Sequence, residues 1–129
     1  MHSVSLTLPF SQDAPREARR VVDGLPLDGH GEAHFNLRLL VTELVANAVR
    51  HAERGIADVI TLVINIYSRK VRVEVGDPGT GFARPSRDDG VPMGTGGRGL
   101  FLVDALADRW DVRHEAGASR TVVWFEFDL

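Results

Sequence analysis

Three polar residues, Glu43, Asn47 and His51, recur at intervals of four in a largely apolar stretch of the sequence. On an α-helix this spacing places them along one face, each about one turn from the next. Mg²⁺ accepts an amide oxygen together with phosphate oxygens and water, and a carboxylate one turn away can act as a general base. The pattern therefore suits a magnesium ligand at Asn47 and a base at Glu43, but it equally suits a solvated helix stripe.

A second candidate group is the sequence Asp77-Pro-Gly79-Thr-Gly81, which directly follows a run of alternating apolar residues. A carboxylate at the end of a strand can accept a hydrogen bond from an exocyclic amine, and glycines allow a flat ring to approach the backbone closely. An adenine edge would satisfy this arrangement. Asp, Pro and Gly are also favoured in ordinary turns, so both interpretations of the motif stay open.

The third candidate group is the glycine-rich run over residues 94–99, which leads into a short apolar segment at Leu100. Backbone amides at the amino terminus of a helix form an anion site, and Arg98 could add a charge-assisted contact to a phosphate. The run contains a G-x-G-x-x-G string, but no strand precedes it and too little chain follows for a dinucleotide-binding βαβ unit. We therefore reject dinucleotide binding, and the sequence has no P-loop pattern.

Hydrophobic periodicity predicts the elements that must position these groups. Alternating apolar residues predict strands over residues 3–8, 58–67, 70–76, 109–115 and 120–128. Helical spacing predicts helices from about 15 to 23, from about 32 to 52 and over 99–106, with Ser11 or Asp13 as the cap of the first. Residues 77–93 are expected to form a loop. Strands that follow one another favour a single α+β domain over 1–129, with helices on one face of a mixed, mostly antiparallel sheet.

Composition excludes several classes of function. The formal charge of −3 gives no basic footprint, so we expect no direct contact with nucleic acid. The absence of cysteine excludes thiolate zinc sites, disulfides and a thiol nucleophile. No apolar run approaches the roughly 20 residues that span a bilayer, and the first ten residues do not look like a secretory signal. We therefore expect a cytoplasmic protein without a membrane partner.

The order and spacing of the three groups resemble the GHKL superfamily, which joins gyrase, heat-shock chaperone, histidine-kinase and mismatch-repair ATPases. The segment from Glu43 to His51 resembles the N box of that superfamily, Asp77-x-Gly79-x-Gly81 resembles the G1 box, and Gly97-Arg98-Gly99-Leu100 resembles the G2 box. Thr121 resembles a threonine that such domains direct toward the nucleotide from a late strand. Before this threonine the superfamily often has a glycine-lysine or glycine-glycine turn, whereas this chain has Gly-Ala-Ser-Arg over residues 117–120.

Within the superfamily the chain is most similar to the anti-sigma-factor serine kinases and their short ATP-binding relatives in actinobacteria. It lacks a helix pair with a phosphoaccepting histidine, and its segment between the second and third boxes is short. The resemblance implies that the protein binds Mg-ATP and phosphorylates a serine on a small antagonist protein, with a sigma factor as a second partner. The alternative is an ATP-binding module that sequesters a partner with little or no kinase activity.

The resemblance also implies a role for each matched residue. Asp77 would receive the adenine amino group, with Gly79 and Gly81 allowing the ring to pack. Asn47 would ligate Mg²⁺, and Glu43 would polarise the attacking hydroxyl. The outer phosphates would lie against the remaining matched residues, which are Gly97, Arg98, Gly99, Leu100 and, in support, Thr121. His51 either supports a ligating residue from behind or is simply a basic residue that favours the carboxyl end of its helix, and we favour the second interpretation.

Two further features concern partners. Arg16, Arg19 and Arg20 share one face of the first predicted helix, which suits either a solvated surface or docking to an acidic partner. The first strand, if it lies at an edge of the sheet, could pair with its copy in a homodimer.

Overall fold

The computed structural model describes residues 1–51, 59–78, 98–115 and 120–129. In chain order the described elements are β1 (His2–Pro9), α1 (Ala14–Asp23), α2 (Gly31–His51), β2 (Val59–Ile66), β3 (Lys70–Asp77), α3 (Arg98–Leu106), β4 (Arg109–Glu115) and β5 (Arg120–Asp128). Each element that the hydrophobic periodicity predicts is present, with ends that agree to within one residue. The expected loop over residues 79–93 lies outside the described residues.

The five strands form one sheet in the order β1-β2-β3-β5-β4. All four pairings are antiparallel, so the fold class is confirmed while the expected parallel component is missing from the described pairings. The antiparallel pairing follows from the way in which the strands are connected. β2 and β3 are joined by a tight turn in which the Tyr67 amide donates to the Lys70 carbonyl at 2.8 Å, and β5 returns between β3 and β4.

The three helices pack together, and the helix layer contacts the sheet through α1 on β1, α2 on β3 and β5, and α3 on β4. α2 is the central helix, because its apolar residues Leu37, Leu40, Val41, Leu44 and Val45 are all fully buried. The facing side of β3 consists of Val71, Val73 and Val75, which recur at period two and are also fully buried. None of the described helices has the length and apolar character needed to cross a membrane.

The start of α1 differs from the expectation that Ser11 or Asp13 caps the helix with its side chain. Asp13 occupies the cap position but makes no side-chain hydrogen bond to the first turn. Instead, the Ser11 hydroxyl accepts a hydrogen bond from the Asp13 amide, and the Ser11 carbonyl accepts one from the Ala14 amide, both at 3.1 Å. A turn therefore leads into α1, and Pro15 supplies a favourable first-turn residue.

Candidate functional site

Asn47 is the most unusual polar residue of α2, because it lies on the buried side of the helix among Leu44 and Ala48. Its side chain is 1% exposed. Its Oδ1 accepts a hydrogen bond from Arg50 Nη2 at 2.6 Å, whereas its buried Nδ2 has no hydrogen-bond partner among the residues that the structure describes. A buried unsatisfied donor costs about 1–3 kcal/mol, so native proteins retain few of them. An atom of this kind indicates a group that a ligand can satisfy.

Arg50 determines which way the Asn47 amide points. A guanidinium only donates, so it must face the amide oxygen, and the amide nitrogen is left toward the interior. Sequence reasoning did not select Arg50 as a site residue. The signal was available in its position three residues after Asn47, a spacing at which side chains on a helix meet.

Glu43 lies one turn before Asn47 on the same uninterrupted helix, as its spacing predicts. Its side chain is half-buried, at the margin between the core of the helix layer and the surface. A carboxylate in this position can approach both a ligand beside Asn47 and a molecule that arrives from solvent. His51 is the last residue of α2, and its side chain lies outside the described part of the structure.

Asp77 and Thr121 are brought together directly by the sheet. The sequence placed Asp77 in a loop after its strand, but the structure shows it as the last residue of β3, paired opposite Thr121 of β5. The strand extends this far because β5 provides a partner up to that position. Directly opposed residues share a face of the sheet, and Asp77 and Thr121 are 3% and 1% exposed.

His114 continues this row onto the next strand. It pairs opposite Thr121 in β4, and its Nδ1 lies 3.2 Å from Thr121 Oγ1. The row Asp77–Thr121–His114 thus crosses β3, β5 and β4 at one end of the sheet, on the side that faces the helices. Sequence reasoning missed His114, because the register that places it beside Thr121 comes only from strand pairing.

On the opposite face of the sheet, a side-chain hydrogen bond links two strands near the position of this row. Arg120 Nη2 donates to Thr61 Oγ1 at 3.0 Å, which links β5 to β2 across Gly76 of β3. A Cβ atom at Gly76 would lie 2.6 Å from Thr61 Oγ1 and 3.1 Å from Arg120 Nη2, so only glycine leaves room for the contact. The hydrogen bond between Arg120 and Thr61 therefore lies on the outer face of the sheet, directly behind Asp77 and Thr121.

The glycine-rich segments are described only in part. Leu100 is 1% exposed in α3, and Arg98 and Gly99 are the first two residues of that helix, as the anion-site interpretation requires. Gly79, Gly81 and Gly97 lie outside the described residues. Since α2 packs against both β3 and α3, the elements that carry Asn47, Asp77 and Leu100 converge at α2.

An α+β sandwich with a buried amide on its central helix and a polar row at one end of its sheet is the arrangement of a known class of nucleotide-binding domain. Residues 8–127 match the family described as the histidine kinase-like ATPase domain, and the chain belongs to that family. The resemblance to GHKL ATPases drawn from the three sequence motifs is thereby confirmed.

Particular relatives extend this result. The chain is 35% identical over 99 residues to the serine-protein kinase RsbW of Listeria innocua, a match that covers 68% of this chain and 63% of the kinase. It is 33% identical over 120 residues to the sensor histidine kinase AruS of Pseudomonas aeruginosa, covering 79% of this chain and 12% of that protein. The match to RsbW thus spans less than two thirds of the kinase.

Solved structures agree on the fold. The RsbU and RsbW domains of a Mycobacterium tuberculosis protein superpose with a TM-score of 0.72 at 18% identity, covering 98% of this chain and 32% of that one. The histidine kinase domain of a blue-light activated histidine kinase from Erythrobacter litoralis gives a TM-score of 0.57 at 24% identity, covering 94% of this chain and 61% of that one. At these identities the structures establish the fold alone.

Proposed function

We propose that this chain binds Mg-ATP and transfers the γ-phosphoryl group to a serine of a partner protein. The observation that carries the proposal is the unsatisfied Nδ2 of Asn47, a buried donor on the helix that packs against both β3 and α3. The similarity to serine-protein kinase RsbW supports the choice of a protein serine as the acceptor.

Recognition of the adenine base is assigned to the end of β3. Asp77 accepts a hydrogen bond from the exocyclic amine, and Thr121 supports it from the neighbouring strand. The low exposure of both side chains supports this role, because a hydrogen bond to the base is stronger where water is largely excluded. Gly79 and Gly81, which lie outside the described residues, let the ring approach the backbone in this proposal.

Magnesium fits the residues that the structure describes. In the described ranges no three His, Asp or Glu side chains cluster as a complete metal site. A single amide oxygen therefore suits a cation that takes its other ligands from phosphate oxygens and water, which is the habit of Mg²⁺. To hold the ion, Asn47 Oδ1 would have to exchange its present contact with Arg50 Nη2 for the metal, which would neutralise charge on the phosphates.

Phosphoryl transfer needs a base and a cradle for the outer phosphates. In this proposal Glu43 accepts the proton of the acceptor serine while the serine oxygen bonds to the γ-phosphorus. The bond between that phosphorus and the β,γ-bridging oxygen breaks, and ADP leaves. Gly97, Arg98 and Gly99 hold the phosphates at the amino terminus of α3, and the buried Leu100 anchors that helix in the core.

The arginines of α1 support a protein partner. Arg16 and Arg20 are exposed, and within the described part of the chain neither forms an ion pair, whereas Arg38 on α2 pairs with Asp23 at 2.8 Å. Unpaired cations on one helix face suit an acidic surface. We assign this face to the antagonist that carries the acceptor serine and to a sigma factor. Such partners require the cytoplasm as the site of action.

A homodimer through β1 is the last element of the proposal. β1 lies at an edge of the sheet and exposes the uncharged residues Ser3, Ser5 and Thr7, while the other edge strand, β4, carries several charges. Charged side chains protect an edge from pairing, so β1 is the edge that a second copy would extend. Light scattering of the purified protein measures this directly, with a monomer at all concentrations as the contradicting result.

Calorimetric titration of ATP, with and without Mg²⁺, tests the nucleotide site. Wild-type protein should bind ATP more tightly with Mg²⁺, and Asp77→Asn should weaken binding by about 100-fold, because it replaces a charged acceptor of the base amine. Asp23→Asn removes an exposed carboxylate on α1 and should leave the affinity unchanged. Equal affinities for wild type and a folded Asp77→Asn variant would contradict the site.

Transfer of labelled phosphate separates the kinase from the alternative, a module that only sequesters a partner. Incubation of the protein with γ-labelled ATP and candidate antagonist proteins should label a serine of the antagonist. ATP binding and partner binding without transfer, for every antagonist that binds, would instead favour the sequestering module.

A further inference from the structure

We infer that Arg50 competes with the magnesium ion for Asn47, and that this competition makes metal binding depend on bound nucleotide. The inference rests on the proposed function, because it concerns the site that we assign to Mg-ATP. Its basis is the hydrogen bond of 2.6 Å from Arg50 Nη2 to Asn47 Oδ1, which is the oxygen that the ion needs. Among the described residues, Arg50 makes no other hydrogen bond and no ion pair.

The contact places a cation on the lone pairs of a buried oxygen. Asn47 is 1% exposed, whereas Arg50 is exposed and lies in the last turn of α2. Side chains three residues apart on a helix are neighbours, so the guanidinium reaches Oδ1 from the surface. Without a donor or a cation, a buried amide oxygen costs free energy. In the free protein, Arg50 therefore takes the position of the cation that the oxygen would otherwise need.

The two cations exclude each other at this oxygen. Mg²⁺ binds oxygen ligands at about 2.0–2.1 Å, so a guanidinium nitrogen that stayed 2.6 Å from Oδ1 would lie within about 5 Å of the ion. Positive charges at that separation repel each other, and the repulsion is stronger beside a buried group than in water. Binding of the ion therefore releases Arg50, whose exposed guanidinium can be solvated.

Nucleotide phosphates decide the outcome of this competition. Free Mg²⁺ would gain one amide oxygen at the cost of part of its hydration shell, which it gives up reluctantly. That exchange does not compensate for the lost contact of Arg50. An ion that also gains phosphate oxygens has a larger return, so it displaces the guanidinium. Arg50 thus keeps the ion out of the empty site and is a positioning residue, since it acts through Asn47.

The test uses the magnesium factor, which is the ratio of the ATP association constant with excess Mg²⁺ to the constant with a chelator, both from calorimetry. Arg50→Met removes the competing hydrogen bond and should raise the factor about 3–10-fold above that of the wild type. Arg50→Gln is also neutral but keeps an amide donor, which can pair with Asn47 at this spacing. Its factor should be about threefold lower than that of Arg50→Met, a difference that charge alone does not produce.

A distant arginine provides a control for the loss of one positive charge. Arg38 lies on the same helix, about 14 Å from Asn47 along the axis, and pairs with Asp23. Arg38→Met should leave the magnesium factor at the wild-type value.

A measurement on wild-type protein needs no variant. In nitrogen-15 NMR spectra, rotation of the Arg50 guanidinium group should be slow in the free protein and with ADP plus a chelator, because the hydrogen bond to Asn47 restrains it. Excess Mg²⁺ without nucleotide should leave this rotation slow, and Mg-ADP should make it fast.

Failure of this inference can be distinguished from failure of the proposed function. Equal magnesium factors for Arg50→Met and Arg50→Gln, or an Arg50→Met factor at or below the wild-type value, would overturn the competition while the nucleotide site stands. Slow rotation of the Arg50 guanidinium in Mg-ADP would overturn it as well. If wild-type protein binds ATP equally with and without Mg²⁺, the magnesium assignment and this inference both fail, but the adenine site remains. If it binds no ATP, the proposed function is overturned too.

Discussion

Buried polar groups on the two faces of the sheet differ in whether other protein groups satisfy their hydrogen bonds. On the outer face, Glu126 is 5% exposed and meets Arg109, Lys70 and Arg72 at 2.9, 3.1 and 3.2 Å. On the helix side, Asn47 is 1% exposed, but in the described part of the chain its buried Nδ2 has no partner. The protein satisfies the first group by itself and leaves the second unsatisfied. The polar network of the outer face therefore contributes to stability, whereas the buried Nδ2 on the helix side is the donor that we propose a ligand satisfies.

The outer face forms a connected network. Arg72 lies over the Trp124 ring, 4.1 Å from its centre, and Glu74 joins Arg72 and Arg113 at 3.6 and 3.3 Å. Burial by itself would raise the pKa of Glu126, but the hydrogen bonds from Arg109, Lys70 and Arg72 outweigh it and lower that pKa to about 2. Glu126 is thus held in its charged form by the fold, which makes it a stability determinant at neutral pH.

The largest expected effect concerns the helix side. Glu43→Gln should leave ATP affinity and folding stability unchanged and reduce phosphate transfer by about 10²–10⁴-fold, the usual contribution of a general base. Single-turnover transfer to the antagonist measures the chemical step directly, and calorimetry measures the affinity. Transfer at the wild-type rate would remove Glu43 from the mechanism, and a large loss of folding stability would show that Glu43 serves the fold.

A smaller effect is expected on the outer face. Glu126→Gln should lower the free energy of unfolding by about 2 kcal/mol at neutral pH, because three cations lose a charged acceptor but stay partly solvated. ATP affinity should not change. Urea denaturation gives the stability, and Asp23→Asn, which breaks the exposed pair with Arg38, serves as a control with an effect below about 0.5 kcal/mol.

The pH dependence of stability provides a second test of Glu126. Its pKa is lowered on folding from 4.5 to about 2, so its stabilisation is complete above pH 4.5 and is lost as the pH falls toward 2. Wild-type protein should therefore lose more stability than Glu126→Gln between about pH 5 and 3. Parallel stability curves for the two proteins would place the acid sensitivity elsewhere.

Gly76 tests the contact that links β5 to β2 behind Asp77 and Thr121. Gly76→Ala brings a Cβ atom to 2.6 Å from Thr61 Oγ1, so the side chain of Thr61 or Arg120 must move. We expect a loss of about 1.5 kcal/mol in unfolding free energy and a weaker ATP affinity, because Arg120 precedes Thr121 directly. Adding Thr61→Ala removes the oxygen and should recover part of the loss, measured as a coupling in a double-mutant cycle. Independent effects would show that the glycine is not required for this contact.

Much of the fold was predictable because its signals are local. Alternation in β2 and β3 and the wide apolar surface of α2 predict elements whose ends agree with the structure to within one residue. Two details differ from the prediction, the first because of a distant strand and the second because of a local turn. Asp77 belongs to β3 because β5 pairs with it, and Asp13 makes no cap bond because Ser11 already holds the turn before α1.

The candidate site divides in the same way. The spacing of Glu43 and Asn47 on α2 follows from helical geometry, which a sequence reveals. The contact of His114 with Thr121 depends on the register of β4 against β5. The polar residues of the two strands do not by themselves specify that register. Arg50 was overlooked for another reason, because an exposed arginine near the end of a helix normally has a solvated role.

Asn47→Leu gives the smallest expected effect on stability and the sharpest contrast with Glu126. The substitution replaces an amide by an apolar side chain of similar size in a buried position, so it removes the unsatisfied Nδ2 and should raise the free energy of unfolding by about 1 kcal/mol. Arg50 loses its acceptor but is exposed and can be solvated. The same variant should lose magnesium-dependent ATP binding, measured by calorimetry with and without Mg²⁺. A polar group whose removal stabilises the protein while abolishing binding is retained for its ligand, whereas destabilisation of Asn47→Leu would mean that the amide serves the fold, as Glu126 does.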